Sequence, residues 1–516
     1  LPGAVEDFRE QDMGDTHYTD LPPEPAGAAR ITDREPGPSD SALALPPPTM
    51  VRYQVLGVAC ALGVIIYIHR VGFAFALPYI RADLGLTSAQ ASWLTAIFLV
   101  SYGLFEIPCG LLGDVFGARS LLTILVIGWS LTTGLVTLAV GLPIESMLPL
   151  LFLLVIRFLF GMFQAGAFPL LARILTDWAP VRLRASAQGL IWTCTRLGGF
   201  LSGYLIVGLI LALGGWQAAL WAVAMLGFMW SVGFWLWFRN RPEESPSVNQ
   251  AERQLIAEGR APHAAGHGSI PWRAMFQSRS VLGLCLLYMF GGFAANFYVT
   301  LLPSWLREQH GFSPETTALL GTLPLLVGVA ACFLGGLLSD GIIKYTGNRK
   351  WGRRINGTVG TLIGGFAWLA LGSAQEMWWI GFLLCLIFFC NDLCMGPVWA
   401  CCGDIGERYA GTLGGAMNMM GNLAGAVGNL VAGAFFGKAI AVPFFGTEFT
   451  VSGSQLVFAI YACSYWLATL SWQLVDVTKP LTVTPLDIAT TDLSKSPSST
   501  QLGAEPKTTV KREPPA

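Results

Sequence analysis

Apolar runs of about the length that crosses a bilayer recur twelve times along the chain. They lie at roughly 54–80, 93–113, 120–141, 147–175, 188–213, 216–238, 281–304, 315–338, 355–374, 377–400, 411–440 and 454–475. A helix needs about 20 such residues to cross the hydrocarbon core. The connections are short, save 239–280, which is polar and carries Arg239, Arg241, Arg253, Arg260, Arg273 and Arg279. The pattern predicts an all-α integral membrane protein: twelve transmembrane helices in two six-helix halves, 51–238 and 281–475. In the central loop, 239–280, Asn249–Gly259 reads as a short amphipathic helix. Residues 1–50 and 476–516 are polar and rich in Pro, Ser or Thr, so disordered tails are expected there. The first 50 residues show no signal-peptide pattern. The opening Leu1 implies an unusual start codon or a trimmed chain.

Composition agrees with the hydropathy. The 516 residues are 53% hydrophobic and 12% charged, against about 25% charged in soluble domains. The 60 glycines suit close helix packing in lipid. Net charge is −1, and nothing suggests nucleic-acid binding. One set of loops holds 16 Lys and Arg, the alternate set three, Arg81, Arg307 and Lys438. Positive loops stay inside, so both termini are expected in the cytoplasm of a cell (plasma or inner) membrane protein. The single sequon, Asn356-Gly-Thr358, then falls on the cytoplasmic side, unmodified. The 11 cysteines sit in apolar stretches and form no disulfide framework. Cys390, Cys394 and the Cys401–Cys402 pair lack convergent partners for a metal, and no cofactor is expected.

Against this apolar background the charged residues inside spans stand out. His69 and Arg70 lie near the middle of the first run, and Arg157 lies in the fourth. A charge at the centre of a membrane helix is costly and marks a functional site by default. Arg157 and Gln164 are two turns apart and share a helix face, as do Tyr67 and Arg70. Two guanidiniums in a low-dielectric interior repel unless an anion lies between them, and Arg holds carboxylate or phosphate in a bidentate fork. Glu106, Arg196, Asn296, Asn391 and Asp392 are further polar residues in spans. Glu106 is expected as a structural partner of a basic residue. Arg196 is expected to pair with an acid, Glu106 or Asp392.

An internal repeat marks the halves. Gly110-Leu-Leu-Gly-Asp114-Val-Phe-Gly117-Ala-Arg119 follows the second run, and Gly336-Leu-Leu-Ser-Asp340, with Gly347 and Arg349, follows the eighth. Each reads as a tight turn where an acid meets a basic side chain or a helix N-terminus, and parallel repeats with a site at their interface are a transporter architecture. The Gly-x-x-x-Asp-x-x-Gly-x-Arg loop resembles the signature of the major facilitator superfamily, and Arg157-x-x-x-Gly161 resembles its second motif. The Gly-Pro-Gly run of drug/proton antiporters is missing, with Thr195-Arg-Leu-Gly-Gly199 in its place. Over about 52–475 the chain resembles the anion:cation symporter branch, which includes hexuronate, galactonate and phthalate permeases and vesicular glutamate and sialic acid transporters. Tyr67-Ile-His-Arg70, Tyr102 to Pro108, Arg157 to Pro169, Trp399 and Gly414 to Asn422 carry that likeness.

The resemblance implies that Arg70 and Arg157 hold the substrate anion, with Tyr67, Tyr102, Gln164, Trp399 and Asn418 around it. Tyr102 and Asn418 can donate to hydroxyls, and Trp399 can stack on a ring. Gly110, Asp114, Gly117, Arg119 and Asp340 would form the gating loops. The branch usually has Asp before the first Arg and Glu seven residues after the second, both linked to proton coupling; here they are His69 and Gln164. His69 and Asp392 are therefore the proton-coupling candidates. The expected protein is a monomeric carrier of a small organic anion, a sugar acid or similar carboxylate, coupled to a proton or sodium and working by alternating access. A facilitator of neutral sugars or glycosides, and a transport-inactive nutrient sensor, are the alternatives. No nucleophile–base pair, metal cluster or phosphate loop suggests an enzyme.

Overall fold

The structure is a computed structural model and describes residues 46–143, 145–258, 271–444 and 447–481. The expected tails therefore lie largely outside the described residues. In the first half the spans are Val51–Leu84, Ser88–Phe116, Ala118–Gly141, Leu148–Trp178, Arg184–Leu213 and Trp216–Trp237. In the second, span 7 is broken into Arg279–Ala295, Phe297–Thr300 and Leu302–His310. Spans 8 and 9 are Pro314–Thr346 and Arg349–Leu371. Span 10 joins Met377–Leu393 to Met395–Gly406, and spans 11 and 12 are Ala410–Phe435 and Gly453–Trp472. Among the described residues, eight helical segments are long and apolar enough to cross a membrane by length and composition, one of them, Met377–Phe435, holding spans 10 and 11.

The ends of the spans follow local chemistry. Thr87 and Ser452 each form a capping box with the glutamine three residues on. Gly85 and Gly347, at φ +62° and +67°, stop spans 1 and 8. Spans 4 and 10 break at equivalent places, after Gln164 and after Leu393. Pro169 and Pro397 explain both breaks: each ring clashes with the carbonyl four residues earlier, Ala165 and Leu393, and removes an N–H from the ladder. The breaks leave Gln164 and Asp392 at or next to the last helical turn before a bend.

The two halves meet where span 2 packs on span 11 and span 5 on span 8. Glycines allow these contacts. A Cβ on Gly415 would meet the Glu106 carbonyl, one on Gly110 the Gly411 carbonyl, and one on Gly336 the Ala185 carbonyl. Small residues at such crossings let backbones approach.

Span 11 is shorter than its apolar run. Gly437, at φ +78°, follows its end, and Ala439–Phe444 pairs antiparallel with Thr447–Ser452, Ala439 opposite Ser452. The run to residue 440, expected as helix, thus passes into a β-hairpin. That hairpin marks one end of the bundle; the central loop marks the other, called here the loop end. The central loop holds a helix at Gln250–Ala257, capped by Asn249 Oδ1 accepting from Glu252 N at 3.0 Å. Glu252 caps span 1 in turn, accepting from Val51 N and Arg52 N, both at 3.0 Å.

Candidate functional site

Span 1 presents Tyr67 and Arg70 to spans 2 and 4. Arg70 Nε donates to Gln164 Oε1 at 2.8 Å, and Gln164 Nε2 donates to the Ile66 carbonyl at 3.2 Å. The Arg70 guanidinium lies 4.4 Å from the centre of the Tyr102 ring, 5.5 Å from Tyr67 and 5.4 Å from Phe98. Its Nη2 is buried and has no hydrogen-bond partner. Arg157, 4% exposed, shares the Phe98 ring at 4.9 Å and lies 3.9 Å from Phe73. Its Nε reaches the Leu94 carbonyl at 3.4 Å. Neither arginine has a carboxylate partner among the described ion pairs.

Arg196 is different. Its Nε and Nη2 grip both oxygens of Asp392 at 2.7 and 2.8 Å, and its Nη1 reaches the Tyr67 hydroxyl at 3.4 Å. Of the two acids expected as its partner, Asp392 takes the place. The fork spans the two halves. Asn391 Nδ2 adds a donor to Asp392 at 3.0 Å.

His69 lies on the other side of span 1 from the arginines. Consecutive helix residues point about 100° apart, and this turn sends the ring toward spans 3 and 6. Its Nδ1 is 3.0 Å from Thr133 Oγ1, which donates to the Trp129 carbonyl at 2.8 Å. Nε2 is buried without a partner. The expectation of His69 beside the anion site is corrected by this placement.

Glu106 also departs from expectation. Its partners are amides, with no basic side chain in salt-bridge contact. Oε1 accepts from Asn418 Nδ2 and, at 2.9 Å, from Asn422 Nδ2, both on span 11. Oε2 is buried with no partner. Asn418 Nδ2 also approaches the Tyr102 hydroxyl at 3.4 Å. Trp399, 1% exposed, donates from Nε1 to Tyr288 Oη at 3.0 Å and packs against Phe168 and Trp192. The structure thus gathers Arg70, Arg157, Tyr67, Tyr102, Gln164 and Asn418, and sets Trp399 in an aromatic cluster of its own. Asn422 and Tyr288 were not singled out by the sequence; the spacing of Asn418 and Asn422, one turn apart, was the available signal.

At the loop end Asp114 accepts from Gly411 N at 3.1 Å, Thr412 N at 2.6 Å and Thr412 Oγ1 at 2.7 Å, capping the first turn of span 11. Asp340 accepts from Ser186 N at 2.6 Å, in the first turn of span 5, and pairs with Arg353 at 2.5 Å. Each loop acid therefore holds a helix N-terminus of the opposite half, where the dipole favours a negative charge. Arg119 does not meet Asp114; its backbone N–H donates to Asn240 Oδ1 at 2.9 Å and its guanidinium to the Trp235 carbonyl. A Cβ on Gly117, at φ +85°, would strike Asn240. Asp404, missed by the sequence reading, draws Arg184 at 2.8 Å and Arg353 at 2.9 Å into the same buried network.

A fold of two six-helix halves clasped in this way is that of a carrier. The chain matches the Major Facilitator Superfamily over residues 59–429 and belongs to it, a family of multi-pass membrane transporters. It is 34% identical over 385 residues to a probable sulfoacetate transporter of Cupriavidus necator, covering 74% of this chain and 86% of that one. It is 27% identical over 407 residues to a hexuronate transporter of Bacillus subtilis, covering 78% and 91%. These relatives fit the anion:cation symporter branch. The crystal structure of a proton:xylose symporter aligns with a TM-score of 0.63 at 15% identity, covering 85% of this chain and 98% of that one, a likeness of fold.

Proposed function

We propose that the protein carries a small organic anion across the membrane by alternating access, with Arg70 and Arg157 as the anion-binding pair. One contrast carries this reading. Three arginines, Arg70, Arg157 and Arg196, sit in the middle of first-half spans; Arg196 has a carboxylate at 2.7 Å, whereas Arg70 and Arg157 have none. A guanidinium in a low-dielectric interior calls for an anion, and here the substrate supplies it. Arg70 makes no ion pair in direct contact, because its hydrogen-bond partner Gln164 is neutral. The fork of Arg suits a carboxylate or sulfonate head. Tyr67, Tyr102 and Asn418 are placed to bond the rest of the solute. Relatives named for sulfoacetate and hexuronate transport support a carboxylate- or sulfonate-bearing substrate.

The protein acts as a carrier rather than an enzyme, in the cell membrane, as a monomer, and takes up a coupling cation. The 16-to-3 bias of Lys and Arg favours a cytoplasmic loop end and cytoplasmic termini. The test is binding and uptake of sulfoacetate, glucuronate, galactonate and tartrate by purified protein in liposomes. At least one anion should bind and enter, competing with the others and not with neutral glucose. Binding that survives Arg70→Ala and Arg157→Ala at wild-type affinity would refute the paired site.

A further inference from the structure

We propose that Glu106 is a proton-binding site that couples anion binding at Arg70 to release of span 2 from span 11. The proposal rests on the anion site above and adds the group that answers it. Glu106 is 0% exposed and stands on span 2 where that helix touches the opposite half. Oε1 takes two amide donors from span 11, and Oε2, equally buried, takes none. A buried carboxylate oxygen without a donor is costly while the group is charged, and a proton on Oε2 relieves that cost by neutralising the acid.

The groups that face Glu106 are few. Arg70 from span 1 is the cation within electrostatic reach of this acid. Tyr102 and Cys109 share its helix, Tyr288 comes from span 7, and Asn418 and Asn422 come from span 11. Span 4 turns Arg157 to the Leu94 carbonyl and Gln164 to Arg70. Asp114, two turns along span 2, is committed to the first turn of span 11. Of the other acid/base candidates, Asp392 is gripped by Arg196 and His69 faces spans 3 and 6.

The sequence of events follows from these contacts. With the site empty, Arg70 is the counter-charge of the Glu106 carboxylate. An anion bound to Arg70 takes over that charge and adds a negative one beside Glu106. A solvent proton then binds the carboxylate, giving the neutral acid. Hydrogen bonds from Asn418 and Asn422 are stronger to a charged acceptor than to a neutral one, so protonation loosens the tie between the halves. By reciprocity the proton strengthens anion binding as much as the anion strengthens proton binding.

The experiment uses the full chain in detergent with the same four anions as probes. For any that binds, affinity should rise as pH falls, approaching about tenfold per pH unit for one linked proton, with about one proton taken up per anion in weakly buffered solution. Glu106→Gln keeps the amide acceptor, so it should still bind the anion, with no pH slope and no proton uptake. Wild-type binding without uptake, or a slope that persists in Glu106→Gln, overturns the proposal. If none of the anions binds wild type, the anion reading fails on its own terms. Glu106 is then decided by infrared titration of the ligand-free protein. A protonated-carboxyl band appearing on acidification and absent from Glu106→Gln supports the site; the same band in both proteins, or in neither, overturns it.

Discussion

Arg196 and Asp392 join the halves of the molecule through two parallel hydrogen bonds of 2.7 and 2.8 Å, the only ion pair among the described residues that links the middle of span 5 to the bend of span 10. Asp392 is fully buried. Removing one partner leaves the other charge uncompensated, which costs about 3–5 kcal/mol in buried pairs, while replacing both by apolar residues is far milder. Arg196→Met should therefore lower the thermal unfolding midpoint sharply, and Arg196→Met with Asp392→Leu should recover most of it. Equal losses from the single and double variants would show that the pair contributes nothing by its charge.

Arg157→Lys tests whether the fork or only the charge is needed. Lysine keeps the charge and loses the planar pair of donors. One charge-assisted hydrogen bond is worth about 1.5–3 kcal/mol, so anion affinity should fall by roughly tenfold to a hundredfold. Titration by thermal shift or by tryptophan quenching reads this directly, and an unchanged affinity would reduce Arg157 to a point charge.

Asp114→Asn alters the clasp without touching the arginines. The charge on the first turn of span 11 is lost, so the loop end should open more readily. Expected results are faster labelling of single cysteines introduced along the loop-end faces of spans 2 and 11, a changed exchange rate, and anion affinity within about threefold of wild type, or about 0.65 kcal/mol. A large loss of affinity with unchanged turnover would place Asp114 in the binding site instead.

Glu252 gives a pH-dependent prediction outside the membrane. Burial acts to raise its carboxyl, but donation from Arg52 N, Thr49, Val51 N and the Arg52 guanidinium outweighs it and holds the group below the ordinary value of 4.5. A lowered folded value means that stabilisation is full above pH 4.5 and is lost as pH falls through the folded value. At pH 7, Glu252→Gln should speed hydrogen exchange in the first turn of span 1 and proteolysis of the central loop. The difference from wild type should shrink as the pH drops below 4.5. A difference that is constant with pH would mean that shape, not charge, is what Gln fails to supply.

The twelve helices were legible because lipid demands long apolar runs with internal backbone bonds, and runs of that length leave little choice. The end of span 11 was not, because Ala439–Phe444 is apolar enough for either structure and the φ of Gly437 is what decides. Arg70 and Arg157 stood out as charges in the wrong solvent. Their shared Phe98 ring did not, since it depends on how spans 1, 2 and 4 cross. His69 was misplaced for a rotational reason: its neighbour Arg70 fixes where it sits along span 1 but not which way it turns. The two-way choice for Arg196 needed the tertiary contact with span 10. The repeat at Asp114 and Asp340 pointed to a helix terminus or a basic partner. The structure gives Asp114 the first and Asp340 both, because Arg353 lies one helix away.

Asp114 belongs to the first half and holds the second; Asp340 belongs to the second and holds the first. A molecule strapped by its own side chains in this reciprocal way does not depend on an unbroken polypeptide to keep its parts together. Two genes, one ending and the other beginning within 259–270, would encode fragments that each carry one strap and one anchor point. Made in the same cell, they should find each other and restore a working carrier. Asp114→Ala in one fragment and Asp340→Ala in the other should make that reunion less efficient.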